Sequence, residues 1–96
     1  MAMKVDPPPG GFRGPVKRSV TIAGHQTSIS LEPAFWEALE AAAAEHTLPL
    51  NALVAAIDHA RIEAGNPPNL ASALRSWLFH RQQAATNCDR GENSSH

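Results

Sequence analysis

At 96 residues, 43% of them hydrophobic but mostly Ala and Leu, the chain has room for one small domain with a thin core, a size that often gains stability by pairing. Its single cysteine, Cys88, excludes an internal disulfide framework or a multi-cysteine zinc site and suits the reducing cytoplasm; no run is long and apolar enough to span a bilayer, and no apolar stretch follows Lys4 as in a signal peptide. The net charge of −1 hides an asymmetry: residues 1–26 carry Lys4, Arg13, Lys17 and Arg18 against Asp6, while residues 27–96 carry four arginines against eight acids, giving a basic front and an acidic body.

Residues 1–15 contain PPPGGFRGP, a density of Pro and Gly that predicts a flexible arm. A first strand is predicted over 17–22, with Val20 and Ile22 on one face and Ser19 and Thr21 on the other. AGH at 23–25 is a turn, in which Gly24 can supply a positive φ. A second strand over 26–31 turns Thr27, Ile29 and Leu31 inward and Gln26, Ser28 and Ser30 outward. Water-facing strand positions usually take Thr, Lys or Glu, so this small, uncharged outer surface reads as a contact face.

Helical spacing begins at Pro33, which suits a first helical position because that N–H has no partner anyway. The first helix, 33–46, has a stripe of Phe35, Trp36, Leu39, Ala42 and Ala43, with His46 placed to offset the dipole at its end. The second starts at 49 or 50 and runs to 63, with Leu50, Leu53, Val54, Ile57 and Ala60 as its stripe. Pro49 offers no side-chain cap there, which leaves Thr47 as the capping candidate. Gly65, Pro67 and Pro68 end that helix, and Asn69 is placed to cap a third, with Leu70, Ala73, Leu74, Trp77 and Leu78 on one face. The domain is therefore predicted over 16–83, between the arm and a disordered polar tail at 84–96.

The order of a short alternating strand, an amphipathic helix, a tight link and a second amphipathic helix, in TSISLEPAFWEALEAAAAEHTLPLNALVAAI (27–57), resembles the ribbon-helix-helix family, the MetJ, Arc and CopG type of DNA-binding repressor. The flanking KRSVTIAGH and NLASALR resemble a short bacterial subgroup with an added leading strand and third helix. The resemblance implies a mainly α fold with a short β-ribbon, in β-β-α-α-α order, built as an intertwined homodimer. It also implies a ribbon lying in the major groove of double-stranded DNA.

Carried over, Gln26, Ser28 and Ser30 would contact base edges. Lys17, Arg18 and the backbone around Leu50, Asn51 and Ala52 would contact phosphate. Ile29, Leu31, Phe35, Trp36, Leu39, Leu53, Val54 and Ile57 would form the dimer core. Which strand faces DNA, 17–22 or 26–31, stays open. A second class of function is a dimeric adaptor of antitoxin type, binding a protein partner through the third helix and the acidic surface.

Catalysis has no motif here, neither nucleophile elbow, phosphate loop nor HExxH. No cofactor or metal is expected: the histidines at 25, 46, 59, 80 and 96 include no i, i+4 pair.

Overall fold

The computed structural model describes residues 3–65 and 67–94, with side chains as far as residue 85. Its elements run in the order β1 (Val16–Ile22), β2 (His25–Leu31), α1 (Pro33–Glu45), α2 (Leu50–Glu63) and α3 (Leu70–Ser94). Residues 3–15 contain no strand or helix, only a turn in which the Gly11 amide donates to the Pro8 carbonyl at 2.8 Å.

β1 and β2 form an antiparallel hairpin in which Lys17 faces Ser30, Ser19 faces Ser28 and Ile22 faces His25. The link is Ala23 and Gly24, with φ of 51° and 83°. Two successive positive φ values make a type I′ turn, whose twist matches that of the flanking strands. Gly24 adopts it without cost, whereas Ala23 has a Cβ to accommodate. The expected strands each gain one residue, Val16 and His25. The second strand, which the family pattern pairs with another chain, has one edge taken by β1 of its own chain.

Alternation sorts the hairpin into two faces. Val20, Ile29 and Leu31 are buried on the inner face. Lys17, Ser19, Thr21, Gln26, Ser28 and Ser30 are all exposed on the outer one. Behind the inner face, α2 packs against β1 and α3 against β2. The core is completed by Trp36, Leu39, Ala42, Ala43, Leu53, Val54, Ile57, Leu74 and Leu78. Ala42 and Ala43 let the helices approach closely, and each fully buried Leu, such as Leu39, contributes about 2 kcal/mol of apolar burial.

This packing includes the positions expected in a dimer core. Of the positions assigned to a dimer core, Ile29, Leu31, Trp36, Leu39, Leu53, Val54 and Ile57 are buried within a single chain, and Phe35 is partly buried. The leading strand and the third helix contribute to their cover within the chain.

α1 ends in a Schellman motif. The Leu48 amide donates to the Ala43 carbonyl at 2.9 Å and the Thr47 amide to Ala44 at 3.1 Å, with Thr47 at φ 53°. Thr47 therefore closes α1 and does not cap α2, whose cap is Pro49 with no side-chain bond. Asn69 caps α3 as expected, its Oδ1 accepting the Ser72 amide at 2.8 Å. The backbone of α3 runs on to Ser94, where a polar tail was expected from residue 84. RQQAA at 81–85 is a run of good helix formers, and extending an existing helix is far easier than starting one.

Candidate nucleic-acid interface

The outer face of the hairpin is a small, flat array set by the register. Lys17 stands beside Ser30, Ser19 beside Ser28, and Thr21 beside Gln26. Directly opposed residues of an antiparallel pair share a face, so the three expected base contacts and Lys17 lie together. No carboxylate occurs between Val16 and Leu31. The face therefore presents hydroxyls, one amide and one ammonium group, with nothing to repel an anion.

The first turn of α2 flanks this face on the β1 side. The Thr21 amide donates to Asn51 Oδ1 at 3.2 Å, which places Asn51 at the outer edge of β1. Of the three α2 positions expected at phosphate, Ala52 already donates its amide to the Pro49 carbonyl at 3.0 Å. Among the described residues no hydrogen bond engages the amides of Leu50 and Asn51. As the first amides of a helix they lie at its positive end.

Arg18 stands apart from the other expected phosphate contacts. One step along the strand from Lys17, it falls on the opposite face. Its guanidinium lies 4.7 Å from the Trp36 ring centre and pairs with Glu40 at 3.0 Å. Trp36 in turn donates its Nε1–H to the Val16 carbonyl at 2.8 Å, tying α1 to the start of β1. Arg18 is thus a strut between hairpin and helix.

The same device recurs twice on α3. Arg75 stacks on Phe35 and pairs with Glu32 at 3.2 Å; Arg81 stacks on Trp77 and pairs with Glu45. The Glu32 carboxyl is held below its usual range by its own backbone amide, with Arg75 adding to the effect against partial burial. Arg61 completes the set, pairing with Asp58 at 2.8 Å and donating to the Pro68 carbonyl in the α2–α3 link. Much of the acidic body is therefore occupied with arginines of the same chain. Within the hairpin, Lys17 is the cation left for an outside anion.

Other surfaces are concave. A groove of about 680 Å³ runs between α1 and α3, lined by Phe35, Ala38, Leu78, Phe79 and the Glu45–Arg81 pair. Another, of about 240 Å³, lies between Leu48, Leu53, Ile57 and Trp77. Among the described residues no three His, Cys, Asp or Glu side chains converge as a metal site would need, and no helix is long and apolar enough to cross a membrane. The side chains of Cys88 and His96 lie outside the described residues.

Neither a curated protein nor a solved structure matches the chain. A family model for the ribbon-helix-helix domain matches residues 15–81, which takes in both strands, α1, α2 and the first half of α3. The chain belongs to the ribbon-helix-helix domain family.

Proposed function

We propose that the protein is a cytoplasmic, sequence-specific DNA-binding regulator, acting as a homodimer and repressing transcription by occluding a promoter. The family supplies the class: its members typically bind DNA as dimers, and the fold is regulatory, not enzymatic. The observation that carries the reading is the outer hairpin face, six exposed residues in cross-strand register with one lysine and no carboxylate. Gln26 can bond both N6 and N7 of adenine, and Ser28 and Ser30 can donate to or accept from several base edges. Small side chains let the backbone approach the base pairs closely. Lys17 and the first amides of α2 supply phosphate contacts beside them.

Selection from a random duplex pool, followed by a salt titration on the enriched sequence, tests this. The expected result is an enriched, roughly palindromic site whose affinity falls steeply with salt. No enrichment, and no duplex binding at low salt, sinks it.

The groove between α1 and α3 favours a second reading, an adaptor of antitoxin type that binds a protein through α3. Phe79 is exposed beside that groove, and Arg81 and Glu45 frame it. Binding of an apolar partner helix there depends little on salt, which separates the two readings.

A further inference from the structure

The N-terminal arm and the groove between α1 and α3 meet at one residue. In the arm, the Gly11 amide donates to the Pro8 carbonyl and Gly10 stands at φ 81°. The ring of Pro9 fixes its own φ near −65°, so this is a type II turn, with Pro at its second position and Gly at its third. The turn lies against the start of α1. Pro8, Pro9 and Phe12 line one side of a cleft of about 290 Å³, and Pro33, Ala34 and Glu37 line the other. Ala34 is also a wall of the α1–α3 groove, which runs on past Phe35 and Phe79 to Glu45 and Arg81. The arm therefore stands at one end of that groove, turned there by its own sequence.

Both features carry apolar surface without cover: Met3, Val5 and Phe12 are exposed in the arm, and Phe79 is exposed on the groove. We propose that the groove is the seat of the chain's own arm, which closes over it as a strap and lays Met3 and Val5 on Phe35, Leu78 and Phe79. Phe12 stays at the entrance, beside Ala34.

Reach, charge and backbone all suit this occupant. From Ala34 to Glu45, α1 rises about 16 Å. Extended chain at ~3.1 to 3.3 Å per residue covers about 16 Å from Pro8 back to Met3, so the strap spans the groove end to end. Alternate residues of an extended chain share a side. With Met3 and Val5 inward, Lys4 and Asp6 stay at the rim, a cation and an anion beside the Glu45–Arg81 pair. Asp6, Pro7 and Pro8 each precede a proline and are held out of the helical region, so little conformational freedom is left for docking to remove. A protein partner for this groove has to displace the strap, which makes it an autoinhibitory contact. That consequence rests on the adaptor reading; the docking of the arm does not.

The test uses the full chain in a Cys88→Ser background that removes the native thiol. Arg75 pairs with Glu32 and Arg81 with Glu45, so α3 runs alongside α1 and Gln82 lines the groove at its far end, where the strap brings Met3. Met3→Cys with Gln82→Cys is expected to lose both thiols on mild oxidation while still running as a monomer on a non-reducing gel. It should do so about tenfold faster than Met3→Cys with Ile62→Cys, which puts the second thiol at an exposed position of α2 outside the groove. An apolar fluorescent dye gives an independent measurement with opposite signs for the two possibilities. If the arm covers the groove, Met3→Ser with Val5→Ser uncovers it and dye fluorescence rises severalfold, with cooperative unfolding retained. If the arm lies free, the same change only removes apolar surface and the signal holds or falls. Equal oxidation rates for the two cysteine pairs, or a dye signal that does not rise, overturns the strap. Covalent dimers in place of the internal link put the arm in a second copy's groove and overturn its assignment to its own chain. A strap that forms in a protein binding no apolar helix leaves the docking standing and removes the adaptor reading alone.

Discussion

The two faces of the hairpin share one backbone, one turn and one register, yet they carry different duties. Inward, Val20, Ile29 and Leu31 disappear into a core closed by three helices. Outward, the same strands present Lys17, Ser19, Thr21, Gln26, Ser28 and Ser30 to solvent. A step of one residue changes what a side chain does, as Lys17 and Arg18 show. Substitutions inside are expected to act on stability and those outside on binding, and experiments that cross that line break the comparison.

The largest effect is expected inside. Leu31 is fully buried where β2 meets α1, so Leu31→Ala removes its burial and leaves a cavity, at a cost of about 3 kcal/mol. In a protein of this size that is a large share of total stability. Urea unfolding followed by circular dichroism measures it. A loss below about 1 kcal/mol means that the inner face is not the core described.

Outside, Ser30→Glu is expected to reverse the pattern. The register puts residue 30 directly beside Lys17, so a carboxylate there neutralises the lysine of the outer face and faces the phosphates as well. Affinity for the selected site should drop on the order of a hundredfold, while unfolding stability moves by about 0.5 kcal/mol or less. Fluorescence anisotropy and urea titration on the same sample give both numbers. Undiminished DNA binding shifts the reading face elsewhere.

Lys17 and Arg18 sharpen the comparison with adjacent residues of similar charge. Lys17→Ala is expected to flatten the salt dependence of binding by about one phosphate contact per protomer and to leave stability alone. Arg18→Ala loses an ion pair and a stacking contact, costing about 1 kcal/mol of stability, with the salt slope unchanged. Equal salt slopes for the two variants contradict the assignment of faces.

Those two residues also show what was legible in the sequence. Alternation assigned Val20 and Ile22 inward and Gln26, Ser28 and Ser30 outward, and the hairpin follows it. Counting the same alternation back from Val20 puts Arg18 inward, but a charge next to Lys17 at the arm junction suggested a shared role. The helix starts at Pro33 and after Asn69 were legible because Pro and Asn have specific uses there. The use of β1 as the partner of β2 was not, since an alternating strand offers the same hydrogen-bond groups to its own chain or to another. The burial of the hydrophobic stripes within one chain followed from that, since β1 and α3 both contribute to the core. The positive φ of Ala23 and Thr47 were also out of reach, because neither residue type favours that region; the two-residue hairpin link imposes the one and the Schellman hydrogen bonds the other.

Ala23 offers the smallest and most specific perturbation, one that acts on both faces at once. The turn sets the register, and the register decides which residues look inward. Asn accepts positive φ far more readily than Ala, and Asn-Gly is a favoured pair in a type I′ turn. Ala23→Asn is therefore expected to raise stability by about 0.5–1 kcal/mol, because it relieves the one strained residue in the link. Ala23 lies in the turn and is exposed, so no core contact is altered. Affinity for DNA should hold or rise slightly, since the outer array is presented in the same register on a firmer hairpin. Higher stability with lost binding would mean that the tighter turn shifts the outer face out of register, and that the two faces are less independent than their alternation implies.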